Sequence, residues 1–217
     1  MFPKYPAQVA QKASSTVTEP SERSKILHRT ARRNKLSIER RIRAGLNPDV
    51  CSLASVFISR WDKATIEKVP GELRDTLGIA IAKRTYKAYR RLLDSDRWLR
   101  PENAGARPRR LLWASTGTKD PAASDVLYIK ALAAPFTVNT IPDKTLLAFA
   151  DHGSVGELME ADGGDAEEMI AKFARAGIDC DSLATDLQRE AAGSFVKDWN
   201  EMLASIALKI SGFKAAG

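Results

Sequence analysis

Histidine and cysteine are scarce in this chain, two of each in 217 residues. His28 and His152 are too few imidazoles for a typical zinc site, and Cys51 and Cys180 match no ligand spacing, so no metal is expected. Widely separated in sequence, the two cysteines read as free thiols, the state kept in a reducing compartment. Long apolar runs are missing too. Nothing approaches the roughly 18 consecutive apolar residues of a membrane span, and the opening MFPKYPAQVAQKASS lacks the apolar centre of a signal peptide. These absences lead us to expect a cytoplasmic protein with no membrane contact.

What is present fits one globular domain: 44% of residues are hydrophobic and 28% charged, in a chain long enough to bury a sizeable core. The formal charge of +7 has a local origin. Between Glu22 and Arg43 stand nine Arg and Lys residues against Glu22 and Glu39, which accounts for the whole excess. Any affinity for polyanions would belong to that segment. No aromatic is interleaved with its basic residues, so the stacking platforms of a single-strand binder are lacking and nucleic acid is the least favoured partner.

The chain divides into residues 1–36, a basic tail that is disordered or helical, and 37–217, where core-forming patterns begin. Up to about Pro20 the composition is rich in Ser, Thr, Gln and Pro with little apolar periodicity. A sparse helical pattern starts at Ser21 and stops at Gly45, which suits the position just past a helix end. Three short apolar runs follow: Val50 to Ser59, Arg110 to Ser115 and Phe136 to Thr140. Each reads as a strand buried on both faces, and each leads through a polar loop into a helical pattern. The helices expected are Leu73 to Leu93, about Ala122 to Ala133, one that follows Ile141-Pro142-Asp143 and runs through Ala150, and terminal helices at Asp165 to Ala176 and Ser182 to Ile210 that would pack on a barrel built from such units. Pro101 to Pro108 reads as a loop. Strand, loop and helix repeated three times predict a parallel sheet with right-handed crossovers. Three strands do not close a barrel, and a complete (β/α)8 chain takes about 250 residues.

In such folds the reacting groups sit at the C-terminal ends of the strands. The first strand ends at Ser55-Val-Phe57-Ile-Ser59-Arg60-Trp61-Asp62. Arg60 there suits bidentate capture of a phosphate, or alternatively a surface ion pair with Asp62. The second ends at Ser115-Thr-Gly-Thr-Lys119, a hydroxyl-rich turn with a lysine that suits either an anion or bulk water. It is no P-loop, because the Gly-x-x-x-x-Gly-Lys pattern is absent. Asp151-His152 reads as a helix end without a third catalytic partner. Trp98, Tyr128, Phe195 and Trp199 fall at helical spacings and read as packing residues.

Four segments carry a family resemblance: Ser52-Leu-Ala-Ser-Val-Phe-Ile-Ser-Arg-Trp-Asp62, Leu112-Trp-Ala-Ser-Thr-Gly-Thr-Lys-Asp-Pro121, Asp125-Val-Leu-Tyr-Ile-Lys-Ala-Leu132, and Thr137-Val-Asn-Thr-Ile-Pro142 followed by Leu147-Ala-Phe-Ala-Asp-His-Gly153. In this order they resemble a transaldolase, over about Ile38 to Lys209. The resemblance implies an α/β fold, namely the C-terminal portion of a (β/α)8 TIM barrel equivalent to strands 6–8, with extra C-terminal helices. It implies transfer of a dihydroxyacetone unit between sugar phosphates through a lysine Schiff base, a step of the pentose phosphate pathway, with no cofactor. Ser55, Phe57 and Arg60 fall on the family's sugar- and phosphate-binding motif after strand 6. Ser115 and Lys119 fall on its second phosphate-binding segment. The family's Schiff-base lysine belongs to a strand-4 motif that this chain lacks, and its acids on strands 1 and 3 are lacking too. The expectation is therefore an incomplete chain, inactive alone, that binds sugar phosphates. Its open barrel edge would be covered by a partner chain or by a homo-oligomer. The alternative is a non-catalytic sugar-phosphate-binding or interaction fragment.

Overall fold

The computed structural model describes residues 37–154 and 156–215, with side chains as far as Ile210. The expected tail, 1–36, lies outside the described residues, as does most of the helix predicted from Ser21. The described chain opens as a helix, α1 (residues 37–43). Gly45 ends it at φ +66, and the Gly45 and Leu46 amides donate to the Ile42 and Arg41 carbonyls at 3.1 and 2.9 Å. That pair of bonds satisfies the last carbonyls of the helix and needs the left-handed backbone glycine adopts readily. Ile38, 1% exposed, anchors α1 against Trp98 and Ala106.

Three strands follow: β1 (Leu53–Phe57), β2 (Arg110–Ala114) and β3 (Thr137–Asn139). They form one sheet in the order β1-β2-β3, with both pairings parallel. Between them run α2 (Ser59–Thr65), a 3₁₀ turn at Gly71–Leu73, α3 (Leu77–Leu93), α4 (Asp96–Asn103) and α5 (Leu127–Ala131). Beyond β3 come α6 (Asp143–His152), α7 (Ala166–Arg175) and α8 (Cys180–Ala215). The expected alternation and parallel sheet are thus present.

The register sorts the side chains into two faces. Val56 lies beside Trp113, and Ala54 beside Leu111. This face meets Tyr86 and Tyr89 of α3 and Tyr128 of α5, with Trp113 fully buried and its indole N–H donating to the Leu132 carbonyl at 3.0 Å. A second core joins α3 to α7 around Leu77, Ile81 and Phe173. Ion pairs of Lys83 with Asp165 and Arg84 with Glu167 edge that contact. On the other face of the sheet, Ser55 lies beside Leu112 and Phe57 beside Ala114. Leu53 on that face is 41% exposed and Ser55 is exposed. The sheet therefore buries one face under helices, while the other is exposed at Leu53 and Ser55 and half-buried at Phe57, Leu112 and Val138.

Several boundaries differ from the expected ones, for local reasons. The helix expected from Leu73 begins at Leu77, because Asp75 adopts φ +57 and separates it from the 3₁₀ turn. The loop expected over Pro101–Pro108 starts later, because α4 runs on through a buried Pro101 to Asn103. The helix expected from Ala122 shrinks to α5. Asp120 Oδ1 accepts from the Ala122 amide and Ser124 Oγ from the Val126 amide, so side chains hold in turns the amides a longer helix would use. The expected packing of the last helix fails over its second half: every residue of α8 from Ala192 to Ile210 is exposed.

Candidate functional site

At the C-terminal edge of the sheet, β1 runs almost directly into α2, and two serines tie this junction to β2. The Ser59 amide donates to the Ser115 carbonyl at 3.1 Å, and the two hydroxyl oxygens lie 2.9 Å apart. Ser115 adopts φ +56, a left-handed residue that turns the chain sharply out of β2. The next residue, Thr116, is fully buried, and its hydroxyl lies within bonding distance of Asn139 Oδ1 and the Thr140 carbonyl. The three strand ends are thus stitched together by hydroxyl groups. Asn139 shares the register of Trp113 and so belongs to the helix-covered face of the sheet.

Arg60, half-buried, stands in the first turn of α2 with its guanidinium carbon 4.4 Å from the centre of the Phe57 ring. Phe57 in turn meets Phe195 of α8 edge to face, with centroids 6.4 Å apart. Ser55 lies two residues back on the same face. Ser55, Phe57 and Arg60 therefore form one continuous surface at the rim. Ser115 joins this rim through Ser59. Lys119 is exposed on the loop beyond Gly117, which itself faces Pro142 and Thr145 at the start of α6. No lysine lies in β1, β2 or β3, and among the described residues no three His, Cys, Asp or Glu side chains group to hold a metal ion.

The surface ion pair between Arg60 and Asp62 is not formed, because Asp62 points inward. It is 2% exposed, and its carboxylate accepts from the Gly78 amide at 3.0 Å and the Tyr128 hydroxyl at 2.7 Å. These bonds join α2, α3 and α5 beneath the rim. Burial pushes the Asp62 carboxyl from 3.8 up to about 6, against the opposing pull of the Gly78 and Tyr128 donors. The Tyr128 hydroxyl is raised as well, first by burial and then by the Asp62 charge. A Cβ on Gly78 would stand 2.5 Å from Asp62 Oδ2 and 2.7 Å from the Ile58 carbonyl oxygen. Tyr128 is therefore a bonding partner as well as a packing residue. Phe195 and Trp199, expected to pack, are 58% and 59% exposed.

A second acidic contact lies nearby. Asp75 is buried, with Oδ1 lacking a donor, and its carboxyl is raised by burial and then by Asp120. At the far end of α6, His152 has the third partner that the sequence did not reveal. Its Nε2 lies 3.0 Å from Asp125 and its Nδ1 3.2 Å from Asp151, and both contacts raise the imidazole, Asp125 the more. This cluster is exposed.

The architecture is that of a parallel α/β protein with a cation and an aromatic ring at its C-terminal rim. Comparison with known proteins goes further. The family model for transaldolase/fructose-6-phosphate aldolase matches residues 9–206, a span that reaches into the N-terminal tail. The chain is 38% identical to a transaldolase of Frankia alni over 182 residues, covering 80% of this chain and 49% of that protein. It is 40% identical to one of Saccharopolyspora erythraea (72% and 44% covered) and 42% identical to one of Mycolicibacterium smegmatis (70% and 43% covered). The chain belongs to the transaldolase/fructose-6-phosphate aldolase family. It spans about half the length of the curated relatives it matches. Among the described residues no helix is long and apolar enough to cross a membrane.

Proposed function

We propose that this chain forms the sugar-phosphate-gripping portion of a transaldolase-type barrel, equivalent to its strands 6–8. In this reading Arg60 holds the phosphate of a ketose or aldose phosphate, Ser55 and Phe57 line the sugar, and Ser115 and Lys119 add a second set of anion contacts. The observation that carries it is the juxtaposition on one sheet face of the exposed Ser55 with Phe57, which meets α8 only edge to face through Phe195, and with Arg60 over the Phe57 ring at its rim. A parallel sheet is normally covered on both sides, so a face exposed at Leu53 and Ser55 fits the inner wall of a barrel. A guanidinium held over an aromatic ring keeps its planar fork of donors pre-set for a phosphate.

The reaction this serves is transfer of a dihydroxyacetone unit through a lysine imine. It needs an amine nucleophile close to the bound carbonyl and groups to shuttle protons. None of the described strands carries a lysine, and the exposed Lys63, Lys68 and Lys130 belong to a loop or helix surfaces. The chain is accordingly a binding-competent and catalytically silent portion when alone, working in the cytoplasm without a cofactor. Calorimetric titration with fructose 6-phosphate tests the binding, with an affinity loss of about tenfold or more expected for Arg60→Ala. Equal affinity in the variant refutes the assignment of Arg60. Borohydride treatment with the same ketose should leave the mass of the chain unchanged; a trapped lysine adduct would overturn the claim of inactivity.

A further inference from the structure

The ring of Phe57 is held by no core. It belongs to none of the three buried clusters among the described residues, although Ala54 and Val56 of the same strand pack on the first of them. Its ring contacts are instead the Arg60 guanidinium, 4.4 Å from its centre, and the Phe195 ring, 6.4 Å away and inclined at 62°. The backbone around it is fixed by other bonds. The Ile58 amide donates to the Ala114 carbonyl at 2.9 Å, and Asp62 ties α2 to α3 and α5. What is left to set at the rim is side-chain rotation, of Phe57 and of Arg60.

Phe195 contributes little to the fold by burial. It is 58% exposed, in the half of α8 where every residue from Ala192 to Ile210 is exposed, so its contact with Phe57 removes little apolar area from water. The start of the helix is better held. Cys180 is buried in the cluster of Leu77 and Phe173, with Leu183 packed against it, and α8 touches both α7 and α2. From Cys180 the helix spans about 22 Å, at 1.5 Å per residue, to deliver Phe195 to the rim. There it meets the one ring on which Arg60 rests.

We propose that Phe195 is a positioning residue of the sugar-phosphate site: it holds the Phe57 ring, and through that ring the Arg60 guanidinium, in the orientation that meets the ligand. The proposal rests on the assignment of Phe57 and Arg60 to that site. Both contacts of Phe57 depend on ring direction. In an edge-to-face pair the positive edge of one ring meets the negative face of the other, and a cation likewise sits over a face. An aliphatic neighbour would fill the space without fixing the angle. Without the Phe195 ring, Phe57 turns more freely, Arg60 loses its pre-set fork, and both must be ordered when a ligand binds. The C-terminal helix is thereby a working part of the rim.

A double-mutant cycle on the full chain, read by calorimetric titration with fructose 6-phosphate, tests it. Phe195→Ala should weaken binding about three- to tenfold, the weight of one aromatic pair, while Phe195→Tyr, which keeps the ring, should stay within about twofold of the native chain. In a Phe57→Ala background, Phe195→Ala should have no further effect. The position is exposed, and circular dichroism checks that each variant folds. Proton NMR of the ligand-free chain supplies a readout that a purely structural role would not move. The Arg60 Cδ protons should be shifted upfield by the Phe57 ring, and Phe195→Ala should return them toward the position of a free arginine. Unmoved Arg60 signals overturn the proposal, as does a loss of affinity that persists in the Phe57→Ala background. A chain that loses affinity with Arg60→Ala but is indifferent to Phe195→Ala overturns this proposal alone. A native chain that binds no fructose 6-phosphate overturns the site assignment and this proposal together.

Discussion

Replacing Asp62 by asparagine removes one proton-binding site and little else. The side-chain oxygen can still accept from the Gly78 amide, and the new amide N–H can donate to the Tyr128 hydroxyl oxygen. In the native chain the carboxyl is raised from 3.8 to about 6 by burial. A raised acid binds its proton more tightly in the folded state. Its contribution to stability is therefore complete below the unfolded value and is lost as pH rises through the folded one. About two units at 1.36 kcal/mol each give roughly 3 kcal/mol, spread between about pH 4 and 7. Urea unfolding followed by circular dichroism across that range measures the effect as native minus Asp62→Asn. This subtraction largely cancels the other carboxylates. The difference should fall by about 3 kcal/mol as pH rises. If it stays flat, or grows with pH, Asp62 is not a buried acid held as described.

Other outcomes follow from the same geometry. Gly78→Ala forces a Cβ into the Asp62 carboxylate and the Ile58 carbonyl, and unfolding midpoints should report a loss of about 2 kcal/mol. Asp75→Gly relieves a left-handed non-glycine residue and a buried carboxylate facing Asp120, so it should stabilise the chain by about 1 kcal/mol in the same assay. NMR titration should place the His152 imidazole above 6.5, with Asp125→Asn lowering it. Any stability linked to that histidine is present at low pH and lost as the imidazole deprotonates.

The three strands were legible because each lies in a short, mostly apolar run followed by a polar loop, β-branched around β1 and β3 though not in β2, and a helix would need longer periodicity. Gly45 was legible as a helix end for its backbone alone. That Ser55, Phe57 and Arg60 fall together at the end of β1 was legible because the apolar run breaks into polar residues just after Ile58. Asp62 was misplaced because nothing local marks a buried acid: its two donors lie 16 and 66 residues away. The shortening of the helix near Ala122 was hidden by side-chain competition from Asp120 and Ser124, which apolar periodicity does not register. The exposure of α8 could not be read at all, since apolar spacing along a helix does not say what lies opposite it.

The sheet has a consequence for how such a chain can be assembled. Its strands lie side by side in the order in which they are made, so each finds its neighbour already in place as it emerges. Growth proceeds at one edge and no segment is threaded between others. Further strands could join beside β1 or beyond β3 without disturbing a single pairing already formed, and the hydroxyl-stitched rim would keep its shape while the wall around it was completed.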